Sequence, residues 1–120
     1  MMDRQDLLNA IIDDAMYEMR TTMLRIDQRP KLEGGLRGLE ECRMLNDDGL
    51  LALRRRADAD LDRAHDERRP DWMWYRWRLV EIDWVLNVLS CALVANGRLP
   101  LAEHTQRGML KVADILGVRA

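Results

Sequence analysis

Arg68-Arg69-Pro70-Asp71-Trp72-Met73-Trp74-Tyr75-Arg76-Trp77-Arg78 opens directly into the apolar run Leu79 to Ala95, and the reading of this stretch decides the fold. At 100° per residue the segment is apolar almost all round. Met73, Trp77, Val80, Trp84, Val88 and Cys91 share one side; Tyr75, Leu79, Ile82, Leu86, Leu89 and Leu93 share the other. Arg76, Asp83, Asn87 and Ser90 leave a thin polar strip between them. A helix with that surface must be wrapped by other helices. Pro70 suits its first turn, with Asp71 beside it, and Asn96-Gly97 supplies a stop, so a central helix is predicted over about 70–96. Glu81, Asp83 and Asn87 lie too close to its middle for a membrane span.

The flanking segments supply the wrapping. From Asp3 to Gln28, Leu7, Leu8, Ile11, Ile12, Ala15, Met16, Met19, Met23 and Ile26 recur at steps of three and four, with an acidic first half that favours the helix dipole. Arg29-Pro30 is read as the end of that helix. Lys31 to Leu45 repeats Leu32, Leu36 and Leu39 but carries Gly34, Gly35 and Gly38, each costing about 1 kcal/mol of helix propensity relative to Ala. Either the backbone packs closely on a neighbour there or the segment is partly irregular. Asn46-Asp47-Asp48-Gly49 combines a turn with N-cap chemistry, after which Leu50, Leu53, Ala57, Leu61 and Ala64 form a narrow stripe to about His65. Pro100 is read as opening a last helix, with Leu101, Thr105, Met109, Val112, Ala113 and Leu116 on its core side. The expected fold is all-α, a single compact bundle of about five helices filling residues 1–120 as one domain.

Composition agrees. The chain of 120 residues is 48% hydrophobic and 33% charged, with no Phe, and its straight-chain residues outnumber the β-branched ones. A net charge of −2 gives no global field toward nucleic acid or an acidic membrane. All 19 basic residues are arginine except Lys31 and Lys111. Arginine suits interfaces, because its planar fork binds carboxylate or phosphate bidentately, although a GC-rich genome gives the same bias. Cys42 and Cys91 lack metal or redox spacing and read as reduced packing thiols. The opening Met1-Met2-Asp3-Arg4-Gln5-Asp6 has no secretory pattern, so a cytoplasmic protein is expected.

Enzyme signatures are missing from the sequence: it has no GxSxG, Walker glycine loop, HExxH or ExxH pair. Asp58, Asp62, His65 and Asp66 share enough helical spacing to suggest a divalent site, but solvated acidic faces commonly look like this; no metal and no cofactor are expected. Leu110-Lys111-Val112-Ala113-Asp114-Ile115-Leu116-Gly117-Val118 resembles the first helix and glycine turn of a helix-turn-helix, but only two residues, Arg119 and Ala120, follow. A Gly-capped structural helix gives the same string.

The candidate binding residues therefore lie in the Trp/Arg stretch. Trp72 falls on the polar strip with Arg76, close to Arg68 and Arg69, and Trp with Arg is the pairing most enriched at protein hot spots. Trp77 and Trp84 are read as core; Trp74 and Tyr75 diverge from Trp72's face and need cover from neighbours. Arg54, Arg55 and Arg56 add a basic run in which Asp58, Asp60, Asp62, Asp66 and Glu67 interleave, with Arg54–Asp58 and Arg56–Asp60 attracting at i,i+4. The expectation is a small non-enzymatic protein that docks on a protein partner. Trp72 would be its anchor, Arg68, Arg69 and Arg76 would pair with acidic groups, and Arg54, Arg55 and Arg56 would steer association. In style, though not by a matched motif, the chain resembles bacteriophage and mobile-element accessory proteins, including inhibitors of host defence such as anti-CRISPR proteins. The alternative is a nucleic-acid-binding regulator using the same Arg/Trp patch. A homodimer seamed by the first helix also fits the pattern.

Overall fold

The computed structural model describes residues 3–22 and 28–117. It is an all-α bundle of α1 (Arg4–Thr22), α2 (Arg29–Cys42), α3 (Asp47–Asp66), α4 (Trp72–Ala95) and α5 (Gln106–Ile115), with no strand among the described residues. The central helix is α4, which packs against all four others. Its middle is fully buried at Ile82, Val85, Leu86, Val88 and Cys91, and Leu8, Ile11, Ile12, Leu39, Leu50 and Leu53 close over it. No helix is long and apolar enough to cross a membrane among the described residues.

The glycines of α2 explain how closely α4 is held. A Cβ on Gly34 would run into the Trp74 carbonyl, and one on Gly38 would sit 2.5 Å from the Arg78 carbonyl oxygen. The two helices thus meet backbone to backbone, and a regular α2 is retained because contact outweighs the local propensity cost. Gly35 instead faces side chains, the end of Met19 of α1 and the stem of Glu81 of α4.

Helix ends follow local chemistry, with three corrections. Asn46 accepts from the Gly49 N–H at 2.8 Å, as its N-cap spacing implies. At the other end of α4, Arg98 N–H reaches Leu93 O at 2.8 Å and Gly97 N–H reaches Val94 O at 2.9 Å, a Schellman closure with Gly97 at φ 72°. Pro30 lies in the first turn of α2 rather than ending α1, its missing N–H being one that needs no partner there. Met23 and Ile26 lie outside the described residues. Pro70 precedes α4 in a turn, and the helix starts at Trp72. Pro100 does not open α5: Thr105 is the N-cap, accepting from Gly108 N–H at 3.1 Å, and Leu101 belongs to the preceding loop.

That loop is held by the polar strip of α4. Ser90, fully buried, accepts from the N–H groups of Leu101 at 3.1 Å and Ala102 at 2.9 Å, and Asn87 donates to the Glu103 carbonyl at 2.9 Å. The polar strip is thus partly a loop anchor. Two consequences for α1 and α5 follow. The apolar residues Leu7 to Met19 of α1 are consumed inside, leaving Tyr17 as its exposed large apolar side chain, so α1 offers no second apolar seam among the described residues. Met109 and Leu110 of α5 and its capping residue Leu116 remain exposed, whereas Val112 is buried.

Candidate functional site

The α3–α4 corner carries four of the seven predicted binding residues. Arg69 N–H bonds to Ala64 O at 2.9 Å and Arg68 N–H to His65 O at 3.0 Å, which closes α3 with the same motif that closes α4. The left-handed position is held by Arg68, at φ 52°, where glycine is the usual occupant. An L-residue there costs about 1 kcal/mol. Arg69 turns back on its own corner, donating to both oxygens of Asp71 at 3.0 and 3.1 Å and lying 5.3 Å from the centre of the Tyr75 ring. The hydrogen bond from Arg69 holds the Asp71 carboxyl below its ordinary range.

Trp72 is half-buried and meets His65 edge-on, with ring centres 5.0 Å apart. Trp74 and Tyr75 are likewise half-buried and cover each other edge-on at 5.0 Å. Arg76, one turn beyond Trp72, is exposed, and neither it nor Arg68 has an acidic partner among the described residues. The corner therefore presents one amphipathic ring flanked by two free guanidiniums.

The basic run on α3 is separate. At a rise of about 1.5 Å per residue, Arg55 lies roughly 15 Å along α3 from His65, and successive residues point about 100° apart. Arg54 donates to Asp83 of α4 at 2.7 Å instead of pairing with Asp58, and that bond raises its already high pKa further. Arg55 faces the depression between α3 and the 102–105 loop, and Arg56 is exposed on another flank. Asp60 pairs with Arg78 and Arg63 rather than Arg56.

Arg78 is the residue whose role sequence reasoning missed. It is 6% exposed and makes a two-pronged bond to Glu41 of α2, Nε–Oε1 2.7 Å and Nη2–Oε2 2.9 Å, while Nη1 reaches Asp60 of α3 at 2.9 Å. One guanidinium thus ties three helices. Its signal was present only as an arginine on an apolar helix face. Trp77 and Trp84 also depart from expectation. Neither is fully buried; Lys31 lies 5.5 Å from the Trp77 ring and Arg107 5.5 Å from the Trp84 ring. Both remain at the rim of the core, where they line the depression between α1, α4 and the start of α5.

Other chemistry is sparse. Among the described residues no three His, Cys, Asp or Glu side chains converge to hold a metal, so Asp58, Asp62, His65 and Asp66 do not assemble. Cys42 is buried, and burial, aided by Glu41 and only partly opposed by Arg78, pushes its thiol up to about 12; Cys91 is raised by burial as well. Neither is poised as a nucleophile. Of the helix-turn-helix-like string, α5 and Gly117 at φ 69° form a capped helix, and Val118 lies outside the described residues. Comparison with protein-family models, with curated proteins and with solved structures gave no match to this chain.

Proposed function

We propose that the protein is a docking module that binds a protein partner through the α3–α4 corner. The observation that carries this is Arg68. A helix end that would be more stable with glycine instead holds an exposed, unpaired guanidinium in a fixed left-handed backbone, next to half-exposed Trp72 and free Arg76. Arg69 serves the corner itself by its bond to Asp71, and Arg54 braces α3 on α4; they are support rather than contact. Arg55 and Arg56, on separate flanks of α3, act on encounter rate and its salt dependence.

A Trp flanked by free guanidiniums fits an acidic, partly apolar protein surface. The narrower form of this reading is an inhibitor of host defence in the cytoplasm of a bacterium, of the anti-CRISPR type. Its basic corner would then work by steric cover of an acidic surface, since mimicry of nucleic acid needs the opposite charge.

The test compares wild type with Arg68→Gly in an affinity pull-down from nuclease-treated bacterial lysate. Glycine relieves the left-handed strain, so the variant should melt at least as high as wild type while retaining at least tenfold less of any stoichiometric protein partner. The added variant Trp72→Ala should lose the same partner. Equal retention by wild type and both variants removes the corner as the docking surface. Retention that vanishes with nuclease transfers the corner to nucleic acid, where binding would weaken steeply with salt.

A further inference from the structure

A second concavity lies away from that corner and uses none of its residues. The C-terminal half of α1, the middle of α4 and the start of α5 enclose a groove of about 610 Å³, whose walls include Met19, Trp77, Val80, Trp84 and Arg107. That volume falls within the range of small-ligand sites. Val80 is 39% exposed although it belongs to the apolar helix, so the groove leaves hydrophobic surface uncovered.

Two polar groups at the groove have no partner among the described residues. Glu81 projects into it with its stem against Gly35, where a Cβ would lie 3.2 Å from the Glu81 Cγ, and its carboxylate makes no ion pair or hydrogen bond among the described residues. The Trp77 Nε1 is buried and makes no hydrogen bond. The surrounding charges are otherwise matched. Asp83 is held by Arg54, Asp14 and Glu18 share Lys111 at 2.5 and 2.6 Å, and Lys31 and Arg107 lie over the two indoles. A partly buried carboxylate without a counter-charge is costly to the fold, and flanking tryptophans are the rings that best receive a cation.

We infer that this groove binds a small organic monocation on an apolar stem, with its ammonium at Glu81 and its stem along Trp77, Val80 and Trp84. Lys31 and Arg107 at the two indoles set the charge limit: a single cation is compensated by Glu81, whereas a polybasic peptide would be repelled at both ends. Desolvation and the facing Glu18 push the Glu81 carboxyl up to about 7. Glu18 from α1, Asp83 on its own helix and Arg107 from α5 share the groove's lining with Glu81; Lys111 of α5 is engaged by Glu18 and Asp14, Lys31 of α2 lies at the Trp77 ring, and neither histidine lines the groove.

The experiment titrates the full chain with n-hexylammonium, following the indole N–H resonances by two-dimensional NMR, with n-hexanol and hexanoate as neutral and anionic controls. Hexylammonium should shift the Trp77 and Trp84 indoles and leave Trp72 and Trp74 in place. Its affinity should rise about tenfold from pH 6 to pH 8, as Glu81 passes from mostly neutral to mostly ionised. Glu81→Gln, which relieves a buried charge and so keeps the fold, should abolish that pH dependence and weaken the amine at least tenfold at pH 8. Equal binding of hexanol and hexylammonium, or an unchanged amine affinity in Glu81→Gln, would show a merely apolar cleft and overturn the inference. So would the absence of any indole shift up to millimolar amine.

Discussion

Replacing Arg78 by Met tests whether one buried guanidinium fixes the arrangement of α2, α3 and α4. The substitution keeps a long, flexible apolar stem and removes the charge that satisfies Glu41 and Asp60, whose side chains are 22% and 25% exposed. Removing one partner of a buried ion pair costs about 3–5 kcal/mol, and the residual solvent at both carboxylates puts this case near the lower end, about 3 kcal/mol. For a chain of this length that is a fall in Tm of about 12 °C. Urea unfolding followed by far-UV circular dichroism at pH 7 measures it directly. Arg78→Lys should cost about 1–2 kcal/mol, since one ammonium cannot make the fork to Glu41 and still reach Asp60. Adding Glu41→Gln and Asp60→Asn to the Met variant should recover more than half of the loss, because no uncompensated carboxylate then remains. An Arg78→Met protein within about 1 kcal/mol of wild type would refute the reasoning, and Arg78 would be packing rather than a clasp.

Three further outcomes are expected. Gly38→Ala, which would gain about 1 kcal/mol in a free helix, should instead destabilise by about 2 kcal/mol, because its Cβ meets the rigid Arg78 carbonyl; thermal melts give the sign. Ser90→Ala strands the N–H groups of Leu101 and Ala102 and should cost about 2–3 kcal/mol, with faster amide exchange at those two residues. For Glu81, the folded value of about 7 lies above the ordinary 4.5, so the native state holds the extra proton. Stability from the neutral carboxyl is therefore full below about 4.5 and is lost as the pH rises through 7. Glu81→Gln should accordingly gain about 2 kcal/mol over wild type at pH 8 and little at pH 5, read from paired urea curves.

The helices were legible where periodicity and caps agree. The all-round apolarity of Leu79 to Leu93 identified α4 as central, Asn46 announced α3, and the glycines of α2 pointed to close contact. Proline was the unreliable sign: Pro30 and Pro100 are compatible with either a helix start or a loop, and tertiary bonds from Ser90 and Asn87 decide the second case. The corner could be read as far as composition goes, since Trp72 and Arg76 are one turn apart. Which arginines stay free could not, because Asp83 and Asp71 compete for them through contacts that only the folded chain creates. The groove was invisible for a similar reason. Its walls come from α1, α4 and α5, and Glu81 looks like any other charge on a helix until the positions of Glu18 and Gly35 are known.

The two thiols give the bundle a pair of internal clocks. Alkylation needs both access and a thiolate, and Cys42, fully buried at the end of α2 with its thiol pushed up to about 12, offers neither in the folded chain. Its labelling therefore counts only openings that part α2 from the core. Cys91 is also buried, but its Sγ lies 3.6 Å from the Thr105 carbonyl, beneath the loop that Ser90 and Asn87 fasten. Release of that loop together with the first turn of α5, whose Gly108 packs on the thiol, would uncover it. When reclosing outpaces alkylation, the ratio of the two labelling rates measures how much more often the α4–α5 connection opens than α2 parts from the core, without any added probe.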